Sequence, residues 1–175
     1  NNGCISASDL IVEDILDNPD ILLAADGALT CIDTLVNLDA AGSDNGPDFI
    51  YTWTSESGNI MNVLDSSSVD VSLAGIYILQ IDDLDNGCSS EMSIEVMLDN
   101  EIPELLFEEP DFFSCIDDSV LIQTAYSGNS NDLIYTWTNA DSSLSATGQE
   151  LFIAYGPETI SLEIEHMGNG CTNSY

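Results

Sequence analysis

Residues 50–54 read Ile-Tyr-Thr-Trp-Thr, and residues 134–138 read the same five letters again. With the residue before each copy included, Phe49, Tyr51 and Trp53 alternate with Ile50, Thr52 and Thr54, and Leu133, Tyr135 and Trp137 alternate with their own neighbours. Successive side chains on a strand point to opposite faces, so this period of two describes a strand with one face buried against a second layer. It assigns Tyr51, Trp53, Tyr135 and Trp137 to the core, each Trp a plug between two sheets rather than a platform for a ligand.

The identity extends in both directions. The run "NNGC" ending at Cys4 returns as "DNGC" at Cys88 and as "GNGC" at Cys171, at offsets of 84 and 83 residues. "LTCIDTLV" around Cys31 returns as "FSCIDDSV" around Cys115, again 84 residues on, and Pro19 and Pro103 keep the same spacing. A fixed period of this size marks a tandem array in which each repeat is one folding unit. On that frame residues 1–18 are the last strand of an upstream module, or a strand donated to a neighbouring chain, residues 19–102 a complete module, and residues 103–175 a second module lacking its final strand. A start at Asn1, with neither Met nor leader, is what the interior of a longer chain would give.

Within a module the alternation recurs. Tyr77, Leu79 and Ile81 line one face of "GIYILQID", and Ile160, Leu162 and Ile164 repeat it 83 residues later, which places a one-residue deletion between Trp137 and that strand. Further strands are expected over Leu35–Ala40, Val69–Leu73 and Met92–Leu98, with the acidic stretch Asp9–Leu16 aligned on the last of these. Turn-rich segments such as "AAGSDNGPD" and "DLDNG" separate them. Six or seven short strands in about 84 residues, with turn signals every 8 to 12, predict an all-β chain of tandem Greek-key β-sandwich modules.

Charge narrows the partners. The chain has 32 Asp and Glu, no Lys or Arg and one His, for a formal net charge of −32. Phosphate backbones and anionic lipid surfaces are recognised by Lys and Arg, so neither nucleic acid nor an anionic membrane is an expected partner. No run approaches the roughly 20 apolar residues of a spanning helix, so membrane insertion is not expected. Without lysine there is no Schiff base, phosphate-cradling P-loop or isopeptide cross-link. Self-repulsion on this scale calls for salt screening, divalent cations or covalent cross-links.

Five cysteines in a repetitive chain point to an oxidising compartment and a disulfide framework. Pairing inside modules joins Cys31 to Cys88 and Cys115 to Cys171, at spacings of 57 and 56, and leaves Cys4 to an upstream partner. Pairing across modules joins Cys4 to Cys31 and Cys88 to Cys115, both at 27, and leaves Cys171 to a downstream partner. A final strand of about ten residues would carry the chain roughly 33 Å from its "NGC". The Cα atoms of a disulfide lie within about 7 Å. That geometry favours pairing inside modules, provided Cys31 and Cys88 lie at the same end of the sandwich.

The order Cys, "IYTWT", "AGIY" (Ala74 to Tyr77) and "NGC" resembles the PKD-like and Ig-like repeats of giant surface proteins of Bacteroidetes, including gliding-type adhesins. The resemblance spans the whole chain, and the missing Lys and Arg depart from it. It implies a long secreted, cell-surface protein, exported by the type IX route, that forms stalks, adhesins or extracellular filaments. Its partners would be neighbouring modules of the same chain, other copies in a filament, or a surface glycan or protein.

No catalytic constellation is expected. His166 is the lone histidine, the cysteines are assigned to pairing, and carboxylate neighbours such as Asp82 with Asp83 or Glu108 with Glu109 lack the cleft that a two-carboxylate mechanism needs. No cofactor is required, and the one the acid could hold is Ca²⁺, which takes several oxygen ligands from a turn. Asp39, Asp44 and Asp48 flank one Gly-containing loop, and Asp82, Asp83 and Asp85 crowd the "NGC" turn; Asp17, Asp20 and Asp99 stand near the module junctions. Asp33-Thr34-Leu35 and Asp118-Ser119-Val120 resemble the Bacteroidetes O-glycosylation triplet, with Thr34 and Ser119 as acceptors. The expectation is a non-catalytic structural or adhesive repeat acting as stalk, spacer or filament; the alternative is a calcium-dependent glycan- or protein-binding module.

Overall fold

The computed structural model describes residues 17–56, 60–61, 65–107, 119–126, 128, 130–154 and 159–175. The expectations for residues 1–16, Cys4 included, and for 108–118, with Glu108, Glu109, Cys115 and Asp118, lie outside the described residues. The described strands are β1 (Ala24–Ala25), β2 (Leu29–Thr30), β3 (Val36–Asp39), β4 (Phe49–Ser55), β5 (Ile60–Met61), β6 (Ser68–Val71), β7 (Gly75–Asp83), β8 (Ser89–Val96) and β9 (Leu98–Asp99). After them come β10 (Leu105–Phe107), β11 (Val120–Tyr126), β12 (Leu133–Asn139), β13 (Ser145–Thr147), β14 (Glu150–Ile153), β15 (Ile160–His166) and β16 (Thr172–Ser174). A single 3₁₀ turn, Ser130–Asp132, is the one helical element among them.

Two compact units result, the first built from Asn1–Asp26, Asn37–Val71 and Gly75–Glu95 and the second from Gly27–Val36, Ser72–Ala74 and Val96–Tyr175. The second thus takes in Gly27–Val36, a stretch that the 84-residue frame counts with the first repeat.

In the first unit one sheet has the order β1-β3-β6-β5 and the other β4-β7-β8. The alternation read from the sequence sets the register: Trp53 faces Leu79 and Tyr51 faces Ile81 across β4 and β7. Tyr77, Leu79 and Ile81 are fully buried, as are Leu38, Val69 and Val71 from the other sheet. Trp53 ties the layers together, its indole N–H donating to the Ser66 carbonyl at 2.8 Å, just ahead of β6. A buried indole must find such an acceptor, so the ring fixes the spacing of the sheets as well as filling it.

The second unit repeats the plan. β12 pairs with β15, with Trp137 opposite Leu162 and Tyr135 opposite Ile164. Leu105, Leu133, Tyr135, Trp137, Leu151, Leu162 and Ile164 form one buried cluster drawn from both layers, and the Trp137 indole donates to the Gly148 carbonyl at 2.7 Å. The edge strand differs. In the first unit β5 pairs with β6, whereas in the second β13 pairs with the Trp strand β12, with Ala146 opposite Trp137. The one-residue deletion falls in this part of the repeat, between Trp137 and β15.

Candidate functional site

The best-defined local structure outside the two cores is a covalent one in the second unit. Strand β2 runs parallel to β9, with Leu29 beside Leu98 and Thr30 beside Asp99, and the Leu29 N–H donates to the Met97 carbonyl at 2.9 Å. After Thr30 the chain turns sharply: the Thr30 hydroxyl accepts from the Ile32 and Asp33 amides at 3.2 and 2.8 Å, and the Thr30 N–H donates to the Asp33 carbonyl at 2.8 Å. This turn projects Cys31 toward the hairpin between β15 and β16, where it is bonded to Cys171 with a Cα–Cα distance of 5.1 Å.

The receiving turn is built for the loop. Asn169 is 1% exposed, and its side-chain amide and its backbone carbonyl are all engaged. Its side-chain oxygen accepts from the Cys171 amide at 2.9 Å, and its amide nitrogen donates to the Asp99 carboxylate at 2.8 Å and to the Glu101 carbonyl at 3.0 Å. Its backbone carbonyl accepts from the Cys31 amide at 3.1 Å. Gly170 lies at φ +65°, and a Cβ there would stand 2.5 Å from the Ile32 Cγ2 atom, so both the left-handed backbone and the docked loop require glycine.

This bond overturns pairing inside modules. Cys31 is joined to Cys171, 140 residues away, and Cys88 is a free, half-buried thiol. The physical reason is the parallel pairing of β2 and β9. It sets Cys31 just past Thr30, which lies beside Asp99, at the end of the extended run, whereas Cys88 stands at its start just before β8. Cys31 thus lies with Cys171 in the second unit, whereas Cys88 belongs to the first. The same bond removes the 27-residue pairing of Cys4 with Cys31.

Five of the acids expected as calcium ligands, Asp39, Asp44, Asp48, Asp82 and Asp83, accept hydrogen bonds from protein groups. The Asp39 carboxylate accepts from the Ala41 amide at 2.8 Å, that of Asp44 from the Asp20 amide at 2.9 Å, and that of Asp83 from the Asp85 amide at 2.9 Å. Asp82 accepts from the Gln80 side chain at 2.7 Å, and Asp48 contributes its carbonyl to the Leu84 amide. Among the described residues no three His, Cys, Asp or Glu side chains gather where they could hold a metal ion. The loop Ala41–Asp48 is instead closed by protein groups: buried Ser43 exchanges hydrogen bonds with the Leu22 backbone, and the Tyr51 hydroxyl donates to the Asp44 carbonyl at 2.8 Å. Burial, reinforced by the Asp44 and Asp65 charges, raises the Tyr51 hydroxyl above its ordinary pKa.

Other candidates lie apart. His166 is half-buried and its ring nitrogen accepts from the Gly168 amide at 3.2 Å. Thr34 and Ser119 are both exposed. A polar depression of about 210 Å³ beside β11 and β14 holds one carboxylate, Glu150, which accepts from Gln123 at 2.8 Å. Sequence reasoning did not single out Asn169, Gly170 or Ile32; the recurring "NGC" and "CID" held the signal, as two halves of one contact.

No protein-family profile matches the chain, and no curated protein matches it in sequence. Among solved structures it is similar to the three N-terminal domains of the highly immunogenic outer capsid protein Hoc of bacteriophage RB49, with a TM-score of 0.51 and 16% identity over 90% of this chain and 57% of that one. A fragment of titin aligns at 0.46 and 11% identity, over 88% of this chain and 62% of the fragment. The four N-terminal Ig domains of Dscam1 align at 0.40 and 11% identity, over 89% and 48%. The chain spans less than two thirds of each. The likeness to the capsid domains, at 16% identity, is one of fold, and the sheet orders above define an all-β protein of Ig-like sandwiches, about two in 175 residues.

Proposed function

We propose that this chain is a non-catalytic repeat segment of a secreted or cell-surface protein that serves as a stalk, spacer or filament element. The observation that carries the reading is the internal repeat with an invariant core: both units keep the Trp plug, its carbonyl acceptor and the Tyr and Leu register, while the loops between them diverge. Selection on such a pattern acts on the module as a structural unit rather than on any one surface. The disulfide supports an oxidising, extracellular setting. Partners on this reading are further modules of the same kind, or a surface glycan or protein engaged by the array as a whole.

Pulling the chain by its two ends tests the reading. Each repeat of about 84 residues should release roughly 300 Å of contour in one cooperative event, at about 3.6 Å per residue. With the disulfide intact, the stretch from Cys31 to Cys171, a sequence separation of 140, is withheld, so most of the extension, about 500 Å, should appear only after reduction. A chain that extends without discrete events at low force would sink the spacer role. Repeating the measurement with Ca²⁺ reads the alternative: unfolding forces that rise sharply at constant ionic strength would favour a calcium-dependent binding module.

A further inference from the structure

The turn that receives the Cys31 loop occurs twice. At Cys171, the amide donates to the Asn169 side chain at 2.9 Å, the carbonyl accepts from His166 at 2.9 Å, and Gly170 at φ +65° donates to the His166 carbonyl at 2.8 Å. At Cys88, the amide donates to the Asn86 side chain at 2.7 Å, the carbonyl accepts from Asp83 at 2.9 Å, and Gly87 at φ +76° donates to the Asp83 carbonyl at 2.8 Å. The outer contact is kept as well: the Asn169 amide nitrogen reaches the Glu101 carbonyl at 3.0 Å, and that of Asn86 reaches the Asp17 carbonyl at 2.9 Å, one 84-residue repeat earlier.

One thing differs. A Cβ on Gly170 would meet Ile32 of the docked loop, whereas among the described residues a Cβ on Gly87 would meet nothing within 4 Å. Correspondingly Cys171 is fully buried in its disulfide, and Cys88 is a half-buried thiol. We propose that the Cys88 turn is the same receptor with its loop position open, and that its ligand is a Thr-Cys-Ile-Asp loop like residues 30–33, carried by a copy of this repeat placed one repeat ahead. Cysteines then pair from each repeat to the next along an array, rather than within a repeat. The inference rests on the tandem-array reading above.

The bond forms between two thiol sulfurs. Each loses its proton, the pair gives up two electrons, and a small-molecule disulfide such as oxidised glutathione takes them up and leaves as two thiols. The loop would first dock as Cys31 does, with its cysteine amide on the Asn86 carbonyl and its isoleucine over Gly87.

The test extends the full 175-residue chain with a copy of residues 19–84 directly before Asn1, which restores a complete repeat upstream. Folded in a glutathione redox buffer, alkylated without reduction and cut at acidic residues, the protein should yield a peptide linking the added copy's Cys31 counterpart to Cys88, together with the original Cys31–Cys171 peptide. Alkylation of Cys88, near complete in the unextended chain, should fall at least tenfold, and Cys31→Ser within the added copy alone should restore it. The product should be monomeric; a link found only between chains would overturn placement within one array. The proposal fails if Cys88 stays alkylated while Cys31–Cys171 forms, or if Cys88 joins Cys4 or Cys115. Absence of Cys31–Cys171 itself would overturn the receptor geometry, and loss of cooperative unfolding would overturn the array reading separately.

Discussion

Gly170 and Gly87 occupy the same place in two copies of one turn, so they form a controlled pair. Both sit in the left-handed region, at φ +65° and +76°, where a Cβ costs about 1–2 kcal/mol. Only Gly170 also faces Ile32. Gly87→Ala should therefore cost about 1 kcal/mol, and Gly170→Ala about 2–3 kcal/mol, because the added methyl must displace the isoleucine or lift the loop. Urea unfolding of the two variants checks this, and equal losses would mean that Ile32 yields freely. The sequence shows that both positions are glycine, but not that one of them has a neighbour, since contact with Ile32 joins residues far apart in the chain.

At the scale of elements, what was legible follows from local chemistry. The buried faces of β4, β7, β12 and β15 could be read residue by residue, because a period of two leaves little freedom in which side chains turn inward. The partner of the edge strand could not: β5 and β13 are short, and one pairs with β6 while the other pairs with the Trp strand β12. The disulfide pairing is hidden in the sequence for a related reason. Spacing ranks pairings by loop length, but the deciding fact is the parallel pairing of two-residue β2 with β9, which no periodicity reveals. That pairing yields a test. Both sulfurs belong to the second unit, and closing a loop of 140 residues contributes up to about 5 kcal/mol in the chain-entropy model. Cys31→Ser should lower the melting midpoint reported by Trp137 by about 10 °C or more, while Trp53 reports little change, each measured with the other tryptophan replaced by phenylalanine. Equal shifts at both tryptophans would mean that the two units unfold as one.

For the molecule as a whole, the charge of −32 with no Lys or Arg leaves its carboxylates to be satisfied by backbone amides and side-chain amides, as at Asp39, Asp44, Asp82 and Asp83. Hydrogen bonds of this kind settle each acid locally but do nothing for the repulsion between them. That repulsion acts over the Debye length, about 30 Å at 0.01 M salt and about 3 Å at 1 M. Raising NaCl between those limits should therefore raise the melting midpoints of both units, with most of the gain complete once the screening length falls below about 10 Å, near 0.1 M. Calcium chloride at matched ionic strength distinguishes a screened coat from built sites. Because no three of the described acids gather about one point, the expected result is that Ca²⁺ gives no more than NaCl does. An additional rise that saturates at low millimolar Ca²⁺ and is reversed by a chelator would instead mean that carboxylates converge on the ion as it binds, and the acidic loops would then be the functional surface of the array rather than its solvent coat.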